Sequence, residues 1–331
     1  MVNTELVLGI SHCSFLKCRE KVLISKKLDN LQALTVLSIE DISFLVGRAI
    51  RYSFWQPDLL RKLVDQDIEL MNRYGISCVP VMSCDFPPQL REIPDIPFSL
   101  FWRGVFPSPE KPMVAVVGTR HPSGSGAMTA LQFGRELSEA RIPLVSGLAN
   151  GIDAFAHKGV SETRGVSVAV LACGPDRIYP RSNVRLAGKL LEHGGCIISE
   201  YPPGELPLKY RFPQRNRIIS GLSRSVVVVE APEKSGALIT ADFALEQGRD
   251  LFVCEQMLKS RISRGTRNLQ IQGAQAIRSV NDIVRSWGGV PVVPDSGIQT
   301  SAKEVTGVSG VGRQLALEFQ KEFPRFMSLG N

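Results

Sequence analysis

Apolar residues in the first 75 positions recur three and four apart. Leu31, Leu34 and Leu37 are followed by Ile42, Leu45, Val46 and Ile50, then by Leu59, Leu60, Leu63, Ile68 and Met71. Such spacing lays one apolar stripe along each helix, so residues 1–86 are expected to form a small helical N-terminal domain that ends in a short strand at 77–82. Seven prolines then fall between 87 and 112: Pro87, Pro88, Pro94, Pro97, Pro107, Pro109 and Pro112. Proline lacks the backbone donor and restrains the residue before it, so 87–112 reads as an extended connector.

From 113 the pattern changes. Short apolar runs at 113–118, 143–147, 166–173, 195–200, 225–231 and 250–255 alternate with stretches of helix length. An unbroken run such as Val226-Val227-Val228-Val229 suits a strand covered on both faces. The repeated order predicts an α/β fold, a doubly wound Rossmann-like parallel sheet over 113–285. Ligands of such sheets sit beyond the carboxyl ends of the strands, which singles out the turns after 118, 147, 173, 200 and 231. Residues 286–331 read as a linker to about 303 and a short helical tail. In that tail Val308-Ser309-Gly310-Val311-Gly312-Arg313 is either a phosphate-contacting turn of helix-hairpin-helix type or a plain turn between helices.

Composition narrows the class. The 331 residues are 44% hydrophobic and 21% charged, which excludes a wholly disordered chain. No apolar run approaches membrane-spanning length, and no basic flank precedes a long apolar stretch at the N-terminus. Seven scattered cysteines without a C-x-x-C spacing argue against a disulfide scaffold or a zinc site, so a cytoplasmic location and no metal are expected. Charge matters more for where it lies. The net charge is +7, and residues 177–224 alone carry nine Lys/Arg against three Asp/Glu. Such a concentration suits a polyanionic ligand, with a solvated basic face as the alternative.

The predicted turns supply the candidate chemistry. The first holds Gly118, Thr119, Arg120 and Ser123; it lacks the G-x-G-x-x-G of a dinucleotide site, yet its small residues and arginine suit a phosphate. Pairing of Arg120 with a neighbouring carboxylate is the less favoured alternative. The second holds Gly147, with Asp153 and His157 four apart; helix capping and loop fixation are preferred there to an Asp/His pair serving Ser146. Arg181 follows Tyr179 and Pro180 in the third. After the fourth strand, Lys209, Tyr210, Arg211, Phe212, Arg215, Asn216 and Arg217 interleave cations with aromatics, as a surface for unpaired bases does. Phe212 is as well read as core. The fifth turn, Lys234-Ser235-Gly236, opens a helix and offers another anion seat. No P-loop, G-x-S-x-G elbow or H-E-x-x-H motif is present.

In order and spacing, VVGTR (116–120), SGLANGID (146–153), GPDRIYPRSN (174–183), ISEYPPG (198–204), FPQRNRIISGLS (212–223), EAPEKSGALITADFALEQGRD (230–250) and QGA (272–274) resemble the DNA-processing protein A (DprA/Smf) family. The segment DFPPQLREIPDIPFSLFWRG (85–104) looks like the text before that family's core, so the likeness spans about 65–285. It implies a Rossmann-like domain that binds single-stranded DNA, forms homodimers, protects incoming DNA and loads the RecA recombinase in natural transformation, without a cofactor or catalytic turnover. It marks Arg120, Arg181, Lys209, Arg215, Arg217, Lys234, Ser235 and Gly236. Two features depart from the pattern. Cys254-Glu255-Gln256-Met257 stands where a proline-glycine pair is usual, and the tail does not resemble a winged helix. Two other classes remain in view: a Rossmann-like nucleotide-binding enzyme or sensor, and an interaction scaffold.

Overall fold

Val226, Val227 and Val228 are all fully buried, although alternate residues of a strand face opposite ways. Both faces of the sheet must therefore be covered, and each buried valine contributes about 1.5–3 kcal/mol. The computed structural model, which describes residues 3–52, 54–108 and 110–290, shows how. Seven parallel strands form the body: β3 (Val114–Val117), β4 (Leu144–Ser146), β5 (Ser167–Val170), β6 (Cys196–Ser199), β7 (Ser225–Val228), β8 (Asp250–Cys254) and β9 (Gln275–Ile277). With β1 (Ser77–Pro80) and β2 (Ser99–Gly104) they make one sheet in the order β1-β2-β6-β5-β4-β3-β7-β8-β9 among the described residues.

Ala115, Val117, Val226 and Val228 face α10 (Arg211–Leu222) and α11 (Gly236–Glu246), packing with Ile218, Ile219, Leu222 and Ala241. Val114, Val116, Val227 and Val229 face the other way, onto Phe133 and Leu137 of α7 (Gly124–Glu139) and Ile152 and Ala156 of α8 (Ile152–Glu162). Further along that side, Ala169 and Ile197 meet Ala187 and Leu190 of α9 (Val184–Glu192). The helices α12 (Arg264–Ile271) and α13 (Val280–Ser286) cover the β8–β9 edge. The α/β, doubly wound reading holds.

The N-terminal helices are α1 (Thr4–His12), α2 (Cys18–Lys27), α3 (Leu31–Thr35), α4 (Ile39–Val46) and α5 (Pro57–Tyr74). Side chains of Asn3, Asn30 and Ser38 accept from backbone amides three residues on, which caps α1, α3 and α4. The apolar stripes of these helices converge on Leu8, Ile24, Leu34, Ile42 and Val64, and Phe98 and Phe101 join the same core.

The segment 87–112 is not merely an extended connector. It holds α6 (Pro88–Arg91) and all of β2, which pairs antiparallel with β1 and β6 (Phe101 opposite Cys78 and Ser199). The prolines flank the proline-free run 99–104 and so remove none of its ladder donors. β9 was not expected either: three residues, of which only Ile277 is buried, give no periodic signal at a sheet edge. The tail motif at 308–313 lies outside the described residues. No helix among the described residues is long and apolar enough to cross a membrane.

Candidate nucleic-acid interface

β3 lies between β4 and β7, so the chain leaves it on one side and returns on the other. That arrangement opens a crevice at the carboxyl ends of these strands. The chain's own carboxylate already fills its inner end. Glu230, fully buried just after β7, accepts from Ser123 N (2.7 Å), Ser123 Oγ (2.8 Å) and Ser260 Oγ. Ser123 also caps α7, accepting from Gly126 N at 3.0 Å. A Cβ at Gly126 would stand 2.2 Å from Glu230 Oε2. The seat where a dinucleotide fold places phosphate at a helix N-terminus therefore holds Glu230, and Ser123 serves that carboxylate. Gly118 packs against Ile152 and Thr119 is buried, its Oγ1 accepting from His121 N, which leaves Arg120 as the exposed residue of the three.

Arg120 meets the ring of Phe212 in α10, and that ring neighbours Tyr179 in the β5–α9 connection. Its guanidinium lies 5.3 Å from the centre of the Phe212 ring, and the Tyr179 ring is 5.6 Å from Phe212, tilted by 59°. Phe212 is half-buried and Tyr179 is 47% exposed, so neither ring is core. A cation set over an aromatic face in this way holds both in place and keeps a planar surface beside a positive charge. Arg181, also exposed, opens a short 3-10 turn two residues beyond Tyr179. That turn is tied to the β4–α8 turn by Asn183 Nδ2 donating to Leu148 O (2.9 Å) and Ser182 Oγ to Asn150 Oδ1 (3.0 Å). Lys209 and Tyr210 are exposed immediately before α10. Arg211 stacks on Tyr201 at 4.4 Å and pairs with Glu205 at 2.7 Å.

Two of the expected DNA-contacting cations are internal. The segment from 211 is helix rather than loop; Pro213 sits in its first turn, where a missing N–H costs nothing. Helical periodicity then puts Arg215 on the stripe of Ile218, Ile219 and Leu222, facing the sheet. Arg215 is 4% exposed and donates through Nη1 to Gly147 O (2.9 Å) and to Val170 O, locking α10 to the ends of β4 and β5. Burial lowers it to about 10, so it stays charged at neutral pH, with Asp153 opposing the loss. Gly147 is buried beneath it: a Cβ there would lie 2.5 Å from Arg215 Nη2. Arg217 is 6% exposed and pairs with Asp95 Oδ2 (2.8 Å) and Glu200 Oε2 (2.5 Å). Burial works against its charge, and Glu200 and Asp95 more than restore it. Arg215, Arg217 and Gly147 thus build the platform instead of facing a ligand.

Asn216 also works within the fold, donating to Gly236 O (3.2 Å) and joining α10 to the start of α11. Ser235 caps α11, accepting from Ala237 N at 3.3 Å. Lys234 and Gly236 are exposed, and both line a shallow hollow of about 480 Å³ with Ser235, Glu233, Asp242 and Asn268.

The alternative chemistry at the β4–α8 turn is buried. Asp153 accepts from Gly147 N (3.1 Å), Ser146 Oγ donates to Val116 O (2.7 Å), and His157 Nδ1 lies 3.2 Å from Ser167 Oγ. Burial pushes His157 down to about 3. Asp153 fixes the loop through Gly147 N and His157 ties α8 to Ser167 of β5, but neither caps α8, whose N-cap is Gly151 with no side-chain cap: Asp153 falls one residue inside the helix, not at its cap. No group of three or more His, Cys, Asp or Glu that could hold a metal occurs among the described residues. Tyr179, Tyr201 and Arg211 were visible in the sequence beside the chosen residues, but nothing there says which rings stack on which cations.

This chain resembles known proteins throughout the described region. The family profile described as DNA recombination-mediator protein A matches residues 77–288. Protein Smf of Escherichia coli K12 is 35% identical over 297 residues, covering 89% of this chain and 78% of that protein. The crystal structure of DNA processing protein A from Streptococcus pneumoniae matches with a TM-score of 0.67 and 32% identity, over 86% of this chain and 98% of its own. DNA processing protein A from Helicobacter pylori, studied for its single-stranded DNA binding mode, matches with a TM-score of 0.57 and 28% identity, over 65% and 96%. The departure at Cys254-Glu255-Gln256-Met257 forms a 3-10 turn in which Glu255 pairs with Arg278 at 2.7 Å. On a profile that spans most of the sheet and a relative that covers most of the chain, this protein belongs to the DNA recombination-mediator protein A family.

Proposed function

We propose that the protein binds single-stranded DNA along the carboxyl rim of its sheet and acts as a non-catalytic mediator of recombination in natural transformation. The observation that carries this reading is the cluster of Arg120, Phe212 and Tyr179, in which an exposed cation lies over one partly exposed ring and a second ring packs beside the first. Cations follow a phosphate backbone, while rings take unpaired bases without regard to sequence. Arg181, two residues beyond Tyr179, and Lys209, three before Phe212, are further exposed cations of the proposed path, and Lys234, exposed at the start of α11, would extend it. The likeness to a DNA processing protein studied for its single-strand binding adds to it. The burial of Ser146, Asp153 and His157 and the plugging of the phosphate seat by Glu230 count against a nucleotide-processing enzyme.

A gel shift with oligo-dT and a duplex of equal length, at low and moderate salt, tests this directly. Preference for the single strand, weakening with salt, is the expected result; equal affinity for both, or none, contradicts it. The finer role is protection of incoming DNA and loading of RecA by a homodimer. It predicts faster RecA assembly on single strands coated with single-strand-binding protein, and a dimer mass in sedimentation equilibrium. No acceleration, or a monomer throughout, removes that part while leaving DNA binding in place.

A further inference from the structure

The N-terminal helices reach the rim through a line of charged groups that the interface does not itself use. His12, in the last turn of α1, is almost fully buried, with a side chain 6% exposed. Its Nε2 lies 2.7 Å from Asp67 Oδ2, in α5. Its Nδ1 lies 3.5 Å from Glu205 Oε1, in the loop between β6 and α10. The second oxygen of Glu205 holds Arg211 Nη2 at 2.7 Å. Arg211 is the first residue of α10 and the neighbour of Phe212; its Nη1 donates to Leu206 O at 2.9 Å. The loop is also pinned from below, where Gly204 N donates to Asp176 Oδ1 (2.8 Å) and Gly174 N to Glu205 O (3.0 Å).

A neutral imidazole has one N–H and can satisfy one carboxylate; only the imidazolium donates from both ring nitrogens. Here a carboxylate faces each nitrogen, one from the helical module and one from the loop that carries Lys209 and Tyr210. We propose that His12, as an imidazolium bridging Asp67 to Glu205, is a positioning residue through which the N-terminal helices set the Lys209–Phe212 segment on the rim. This rests on the reading that the rim binds single-stranded DNA.

The electrostatics agree with the geometry. Burial alone would lower His12; hydrogen bonds and charge from Asp67 and Glu205 more than reverse this and raise it to about 9. Glu205 is held down at about 2 by His12 and Arg211, against the effect of burial. Burial raises Asp67, opposed by His12. The other groups around the pair are Asp176, Arg211 and the Cys78 thiol, which burial raises to about 12. A histidine raised in the folded state contributes stability that is fully present below about 6.5 and is lost as pH rises through about 9. The bridge is therefore intact at neutral pH and opens in mild alkali.

The test is a titration of fluorescent oligo-dT from about pH 7 to about pH 9.5 with the full chain, its His12→Gln variant and its Glu205→Gln variant. The bridge predicts that the native protein loses affinity about fivefold as pH passes about 9. Both variants should show that loss already at neutral pH, with flatter profiles. Native and His12→Gln proteins with the same affinity and the same profile would overturn the proposal. A native protein that fails to bind at any pH contradicts the DNA-binding reading instead. If His12→Gln does not fold, amide exchange in the native protein decides: protection of residues 203–211 should fall near pH 9 beyond the intrinsic change, and unaltered protection overturns the bridge.

Discussion

Phe212 is a half-buried ring held between a guanidinium and a second ring, so its removal separates binding from folding. Phe212→Ala is expected to weaken oligo-dT binding by about 1–3 kcal/mol, the worth of one stacked base, while Phe212→Trp retains most of it. Equilibrium titration, with a thermal melt by circular dichroism as control, checks this. Two arginines of similar appearance in the sequence should behave in opposite ways. Arg217→Ala leaves Glu200 without its counter-ion and is expected to cost about 3 kcal/mol of stability, read from the urea midpoint. Arg120→Ala should leave that midpoint unchanged and reduce binding. The basic cluster was legible in the sequence as composition, and the likeness to the family marked the same positions. What the sequence did not disclose is direction. Arg215 and Arg217 sit on a helix whose inner stripe includes Ile218, Ile219 and Leu222, and Pro213 disguised its first turn as loop.

At the scale of elements, the six strands read from apolar runs are all present, because a strand covered on both faces is largely apolar along its length, with only small hydroxyls such as Ser146 and Ser225 buried among them. β2 is short and lies between flanking prolines, Pro97 and Pro107, which mask a proline-free run of six residues as connector. The β3–α7 turn shows a second limit of pattern reading. Its small residues do suit an anion, but the anion is Glu230, which lies 107 positions further on, beyond the reach of any local motif. Glu230→Ala should therefore lower the melting temperature and create a vacant anion seat. Inorganic phosphate is expected to stabilise this variant more than the native protein in a thermal scan; equal effects would mean that the seat does not form.

Over the whole molecule, β1 and β2 extend the sheet while Phe98 and Phe101 complete the core of the N-terminal helices. The two parts share structure, so residues 3–290 should unfold in a single transition. Double variants Trp55→Phe/Trp102→Phe and Trp102→Phe/Trp287→Phe, each of which leaves one tryptophan and in a different part, should give superimposable denaturation curves; separated midpoints would show independent units. The central claim is that exposed cations at the rim neutralise the phosphates of an unpaired strand. Its most direct test is the salt dependence of oligo-dT affinity for the native protein, Arg120→Ala and Arg217→Ala. Four exposed cations, Arg120, Arg181, Lys209 and Lys234, predict a native slope of log affinity against log salt near −3 at about −0.7 per phosphate, reduced by about 0.7 in Arg120→Ala and unchanged in folded Arg217→Ala. A slope near zero for the native protein, or a loss in Arg217→Ala equal to that in Arg120→Ala, would contradict the account.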